Sequence, residues 1–529
     1  MSASVELAAA YRKAGHWSDE PFGALLRRRA GEHPDRIAVV TPGERLSYRD
    51  FDARVDRFAA GLRSAGLSAG DFLVAQLPNG TDFMVTMFAC FRAGIRIVFT
   101  LTAHRYDEVA MVVERTGAKA YVVPEVIAGF DHRQLAERIT AEFPSVENVF
   151  VAGDPGPFAP LPSAEPDHAD PHVDAADIAL LLLSSGTTAV PKLVARTHND
   201  FSYVARKTAE ASGLTGHGVF LAALPAGHSF TLGAPGVIGT VAAGGTVVLQ
   251  PDPGPQDSFD LIARERVTTT ALTPSLAKAW LAAREWNTAD LSSLEVLQCG
   301  GSGVDRRLVG DLLAAFGCHV QQNYGMSEGL VTLVPAGDAE ENVLETQGLL
   351  LSAADEVRLA GAGGEQVAPG EVGELLARGP GVVHSYFRAP EHDERSFTPD
   401  GFYRTGDLVR FTESGHLVVA GRVKDLVNRG GEKVAAREVE QHLGEHPVVH
   451  QVAVVPAPHD ALGECTCAYV VARGGRPTLR ELRAFMRARG VAAYKLPDIL
   501  ELRDELPLTA VGKIDKKVLA AEAAERTVA

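Results

Sequence analysis

Residues 178–192 read IALLLLSSGTTAVPK: six apolar positions in a row that empty into a small hydroxylic loop closed by a lysine. An apolar run of that length bounded by turn residues reads as a buried strand. A strand feeding such a loop is one way α/β sheets offer backbone N–H groups and hydroxyls to a ligand. Ser184, Ser185, Thr187 and Thr188 can wrap phosphoryl oxygens, and Lys192 can add charge. This is no Walker A loop, which needs Gly-x4-Gly-Lys-Ser/Thr, and a turn that merely links two elements fits the same residues.

On the N-terminal side, Phe51, Val55, Phe58, Ala59 and Leu62 recur at helical spacing behind Ser47, a candidate N-cap. Apolar runs at residues 72–77, 97–99, 120–123 and 149–151 alternate with helix-like segments such as 82–93. That alternation predicts stacked α/β units with mainly parallel sheets. Residues 153–177, rich in Pro, Ala and Asp, read as a surface connection.

On the C-terminal side, residues 296–303 (VLQCGGSG) and 320–329 (VQQNYGMSEG) are strands that end in small-residue turns. Such strand ends gather at one sheet edge and build the ligand crevice. Tyr324 offers a flat stacking surface there, and Glu328 a hard oxygen ligand for magnesium; taken singly, they read first as a packed Tyr and a solvated Glu. Gly325-Met326-Ser327-Glu328-Gly329 also matches the Gly-x-Ser-x-Gly elbow of α/β hydrolases, with His384, Asp407, Asp425 and His446 downstream. Farther on, residues 400–407 (DGFYRTGD) carry an Asp whose carboxylate could accept from a ribose diol. Residues 421–431 mix charge and glycine like a hinge. About a hundred residues beyond it alternate strand and helix as a small α+β unit, with Lys513 on a Gly-containing turn near its end.

The 529 residues suffice for about three or four structural units, which can merge into two larger ones. Hydrophobic residues make up 46% and charged residues 22%, which excludes disorder and a fibrous or disulfide scaffold. A formal charge of −16 argues against a broad surface for nucleic acid or anionic lipid, though not against a local basic patch. The five scattered cysteines suit a reducing compartment, and Cys465 and Cys467 read as alternate strand positions and not as a zinc site. With no apolar stretch near 18 residues and no signal-type N-terminus, a cytoplasmic protein is expected.

Taken together, SSGTTAVPK at 184–192, NYGMSE at 323–328, YRTGD at 403–407, GRVKD at 421–425 and TAVGK at 509–513 resemble the adenylate-forming superfamily of acyl-CoA synthetases, luciferases and nonribosomal-peptide adenylation domains. The resemblance covers nearly the whole chain. Residues 192–198 (KLVARTH), 224–228 (LPAGH), 428–436 (NRGGEKVAA) and 492–497 (AAYKLP) are most similar to stand-alone aryl-acid adenylating enzymes, the 2,3-dihydroxybenzoate-AMP and salicylate-AMP ligases.

The resemblance implies an α/β core at residues 1–423, built of stacked mixed and parallel sheets, and a mobile α+β lid at 424–529 hinged at Lys424. It implies ATP and Mg2+, an aryl carboxylic acid, and a phosphopantetheinylated aryl carrier protein in trans, since no carrier attachment site is found in the sequence. Free CoA as the acceptor is the near alternative, and a hydrolase using Ser327 the distant one. Thr187, Thr188 and Lys192 would hold the pyrophosphate end, with Ser184 and Ser185 in the same loop, and Glu328 the metal. Tyr324 would stack near adenine, Gly300 and Gly301 would admit close backbone approach, and Asp407 and Arg422 would hold the ribose. Lys513 would reach the carboxylate and α-phosphate with the lid shut. Rotation at Lys424 would then present Gly430 and Gly431 to the thiol.

The same resemblance assigns the acyl pocket to His228, Ser229, Phe230, Ala234, Ser302, Gly303, Asn323 and Val331, with His228 also among the catalytic residues. Here the sequence departs from the family pattern. Ser229 stands where dihydroxybenzoate enzymes carry Asn, Ala234 replaces Ser, Ser302 replaces Ala, and Asn323 replaces an apolar residue. In the phosphate loop Ala189 and Leu193 replace glycines. These changes imply a roomier pocket for an aryl or heteroaryl acid with an ortho hydroxyl, amino or ring nitrogen, read by Asn323 or Ser229.

Overall fold

A computed structural model describes residues 2–166, 171–184, 192–361, 363–429, 432–509 and 512–525. Its largest sheet has nine strands. Six run parallel at its centre, in the spatial order His319–Gly325, Val296–Cys299, Thr269–Leu272, Val219–Ala222, Thr246–Leu249 and Ile37–Thr41. Antiparallel strands close both edges. A seven-stranded sheet carries Ile178–Leu183 between Arg96–Phe99, which runs parallel to it, and Leu193–Thr197, which runs antiparallel.

The helix Thr81–Ala93 is buried on every side from Phe83 onward, as expected of a helix sandwiched in the core. Its Phe88 meets Phe51 of the helix Tyr48–Ser64, with ring centroids 5.4 Å apart. That second helix begins where its sequence predicts: Ser47 Oγ accepts from the Asp50 backbone N–H at 3.1 Å.

A four-stranded antiparallel sheet follows, comprising Glu356–Ala360, Gly373–Arg378, Tyr403–Phe411 and Leu417–Arg422. A short 3-10 turn, Val423–Asp425, then leads into a separate five-stranded sheet packed by its own helices. Cys465 and Cys467 lie two apart on the strand Gly463–Ala472, both buried in one apolar cluster. Among the described residues no helix is long and apolar enough to cross a membrane.

Candidate active site

The C-terminal ends of the parallel strands meet at one cleft. The strand Val296–Cys299 stops at two glycines with distinct duties. A Cβ on Gly300 would stand 1.4 Å from Asn323 Oδ1, so only glycine leaves room for that side chain. Gly301 adopts φ +81°, a left-handed conformation suited to glycine. Its exposed face lies against Lys513, whose Cε would be 3.5 Å from a Cβ there.

The next strand, His319–Gly325, is fixed from below by buried amides. Gln321 accepts from Ser212 and from Gln298, and Gln322 donates to the Val343 and Leu344 carbonyls. That anchoring aims the following two residues into the cleft. Asn323 is 6% exposed, and its Oδ1 is enclosed without a hydrogen-bond partner among the described residues. Tyr324 donates its hydroxyl to Asp407 at 2.8 Å, and the Arg422 Nε donates to the other Asp407 oxygen at 2.7 Å. Burial, then the Asp407 charge, raise the Tyr324 phenol well above its ordinary pKa, so it stays a donor.

Behind this trio, Tyr386 donates to Glu328 at 2.7 Å and lies 3.0 Å from the Tyr403 hydroxyl. Lys192 sits over the Tyr386 ring, 4.4 Å from its centroid, and desolvation lowers its pKa. Ser184 and Lys192 clasp the base of the phosphate-loop candidate: the Ser184 N–H donates to the Lys192 carbonyl at 2.9 Å, and the Lys192 N–H to Ser184 Oγ at 3.1 Å. Ser185, Thr187, Thr188, Gly430 and Gly431, along with Ala189, lie outside the described residues.

Lys513 arrives from the C-terminal unit. Its backbone N–H is held by Thr509 Oγ1 at 3.2 Å. The side chain enters a cavity that Arg196, Phe201, Val204, His228, Ser229, Phe230, Ala234, Asn323, Met326, Ser327 and Val331 also line. Burial is the main reason that the Lys513 pKa falls to about 8, with the Arg422 charge adding to it. His228 caps the short helix Ser229–Gly233, its Nδ1 accepting the Phe230 N–H. Burial, with Lys513 nearby, pushes it down to about 3, so the imidazole is neutral near pH 7.

Of the expected pocket residues, Ser302 and Gly303 are set apart: both stand on an exposed turn outside the lining of that cavity. The hydrolase alternative is not assembled. Ser327 Oγ donates to Ser229 Oγ at 3.1 Å, and among the described residues no histidine shares a hydrogen bond with it. Sequence reasoning gave no role to Arg196, which is 1% exposed, pairs with Asp200 at 2.6 Å and donates to the Ser327 and Gly381 carbonyls. Its Arg-x3-Asp spacing on the way into the helix His198–Ala211 was the available signal. Phe201, Val204 and Met326 line the cavity from positions that periodicity marks only as core.

The donor set limits a metal. Among the described residues no cluster of three His, Cys, Asp or Glu exists. Glu328, 7% exposed, is a single carboxylate near Lys192, which suits a magnesium ion held chiefly by substrate phosphates and water.

Comparison with known proteins gives a consistent result. The family model described as AMP-binding enzyme matches residues 26–387, and its C-terminal-domain counterpart matches residues 438–513. The chain is 46% identical over 528 residues to 2,3-dihydroxybenzoate-AMP ligase of Bacillus subtilis, covering 99% of this chain and 97% of that one. It is 43% identical over 524 residues to the salicyl-AMP ligase / salicyl-S-ArCP synthetase of Mycobacterium tuberculosis, covering 97% and 93%. ATP-bound MatB from Rhodopseudomonas palustris superposes with a TM-score of 0.86 at 26% identity over 94% of this chain and 98% of that one. The apo form of MatB gives 0.77 at 26% identity over 95% and 99%.

Proposed function

The chain belongs to the AMP-binding enzyme family, and from that premise we propose that it activates an aryl carboxylic acid with ATP and passes the aryl group to a phosphopantetheine thiol. One observation carries the reading: the Lys513 side chain lies on Gly301 inside a buried cavity, within reach of the charges of Asp407 and Arg422. A lysine carried from the C-terminal unit into this cavity brings a buried cation to it. It suits a reaction that brings an aryl carboxylate against a phosphate.

In the first step a carboxylate oxygen attacks the α-phosphorus of ATP. The new O–P bond forms as the bridging bond to the β-phosphate breaks, and pyrophosphate leaves with the electron pair. The Lys513 ammonium offsets the charge gathering at the carboxylate and α-phosphate, a preorganised contribution of the oxyanion-hole type. Asp407 accepts from the ribose diol, with Arg422 and Tyr324 holding its carboxylate in register. Lys192, Ser184 and the loop 185–191 attend the pyrophosphate end. Magnesium, held by Glu328 and the phosphates, supplies charge neutralisation when bound. In the second step the thiol sulfur attacks the acyl carbonyl, a C–S bond forms, and AMP departs.

We read Lys424, on the turn Val423–Asp425, as the hinge between a core at 1–423 and a lid at 424–529. The higher similarity to ATP-bound than to apo MatB supports a lid set for the ATP step. After rotation, Gly430 and Gly431 would meet the thiol, and an aryl carrier protein in trans is the acceptor we favour over free CoA. The scattered cysteines, four of them buried, fit the cytoplasmic setting we propose.

The cavity supports a narrower substrate class. Asn323 Oδ1 is wedged against Gly300, which leaves the other edge of its amide for the cavity. Gly300 and Gly301 are consecutive, so Asn323 and Lys513 stand beside Cα atoms about 3.8 Å apart. A carboxylate held by Lys513 brings its ortho position toward Asn323. We therefore read the substrate as an aryl or heteroaryl acid bearing a hydroxyl, amino group or ring nitrogen beside the carboxyl.

ATP–pyrophosphate exchange tests the reading across benzoate, salicylate, 2,3-dihydroxybenzoate, anthranilate, picolinate, quinaldate, an α-amino acid and a fatty acid. Exchange confined to ortho-substituted or ring-nitrogen acids is expected. Exchange with only the amino or fatty acid would overturn it.

A further inference from the structure

The C-terminal unit sends a second cation to the core, and among the described residues its Nε finds no hydrogen-bond acceptor. Arg437 stands in the first turn of the helix Ala436–Gly444. Its guanidinium lies over Gly303: a Cβ built there would be 3.1 Å from Cζ and Nη1 and 3.4 Å from Nη2. Any side chain at 303 would press on it. Arg437 Nε is enclosed and meets no acceptor among the described residues. The carboxylates whose charge it feels are already engaged. Asp407 receives Tyr324 and Arg422, while Glu440 receives Lys516 at 2.7 Å and the Val454 N–H at 2.6 Å.

A guanidinium drawn from water needs an anion, hydrogen-bond acceptors or an aromatic face. Gly303 ends the turn that begins at Gly300, and Tyr324 follows the Asn323 that Gly300 admits. The helix bearing Arg437 also packs on the strand that ends at Arg422. Arg437 thus borders the cleft formed by this turn and the Tyr324–Asp407–Arg422 trio. The core-side charges that Arg437 feels are those of Asp407 and Arg422, the pair read as the ribose site, so the base end of a nucleotide fits the place.

We infer that Arg437 is a nucleotide contact carried by the lid, donating to or stacking on the adenine of ATP only while the lid is shut. The inference rests on the proposed use of ATP in this cleft. Gly303 then has a reason to lack a side chain, since it seats the guanidinium. Nucleotide binding then favours the shut lid, because rotation would carry the contact away.

The experiment is pyrophosphate exchange by Arg437→Ala and Arg437→Lys, varying ATP and aryl acid separately, together with direct titration of ATP binding. Arg437→Ala should raise the KM for ATP about tenfold or more, the scale of one charge-assisted contact, while the aryl-acid KM stays within about twofold. Arg437→Lys should recover part of the loss. Thioester formation from supplied aryl-AMP should be unchanged, because the lid has then turned away. A residue that merely latches the lid would raise both KM values together; that result, or ATP affinity equal to the parent's, overturns the inference. Should the parent exchange with no aryl acid, the substrate reading fails, and the ATP titration still decides the role of Arg437.

Discussion

Asn323 and Gly300 interlock across neighbouring parallel strands: Asn323 Oδ1 fills the space a side chain at 300 would need, 1.4 Å from the position of its Cβ. Gly300→Ala must therefore displace Asn323 or the strand, and overpacking of this kind costs about 1–3 kcal/mol. Adding Asn323→Ala should return most of that stability, because the obstacle is gone. Urea denaturation of the two single variants and the double variant checks the coupling; additive losses would mean that the two sites are independent.

Asn323 should also govern substrate choice. Picolinate and benzoate differ by one ring atom, so their ratio in exchange isolates the ortho contact. A site built to hydrogen-bond its substrate rejects the analogue lacking that group strongly, by up to about 10⁴-fold. Asn323→Val should collapse the preference for picolinate or salicylate over benzoate, and an unchanged ratio would remove Asn323 from the recognition.

Adenylation should fade in mild alkali. Burial holds Lys513 down to about 8, so it is an ammonium below that pH and loses its proton as pH rises through it. The kcat/KM for exchange, which reports the free enzyme, should fall above pH 8 with a single inflection. No imidazole inflection is expected between pH 5 and 7, because His228 is pushed to about 3. A profile flat to pH 10 would contradict the role given to a buried Lys513.

Asp407→Asn would leave Arg422 facing a neutral amide and would weaken acceptance of the ribose diol. The KM for ATP should rise at least tenfold with little change in that for the aryl acid, as steady-state exchange would measure. Equal effects on both substrates would instead mean a general loss of the cleft.

Much of this was legible in the sequence. The buried strand at 178–183, the Ser47 cap and the helix that follows it are local patterns, and each formed where its residues indicated. The glycine turn after Cys299 and the Asp407–Arg422 pair lay within short motifs. Contacts between distant segments were less visible. Arg196 looks like a strand residue until its carbonyl partners at 327 and 381 are brought to it by the fold. Tyr386 has no motif of its own, yet it bridges Glu328 and Tyr403. Arg437 carries no periodic signal that would distinguish it from a solvated helix residue. Its position depends on how the C-terminal unit docks, which no local pattern encodes.

The central claim is that Lys513, delivered by the lid, drives aryl-AMP formation and not the later transfer. Lys513→Ala should therefore be assayed in both half-reactions, with pyrophosphate exchange for the first and thioester formation from supplied aryl-AMP for the second. The account predicts a loss of about 10²- to 10³-fold in exchange, the scale of one removed charge-stabilising contact, with transfer nearly unchanged. Exchange at the parent rate, or an equal loss in both halves, would contradict it.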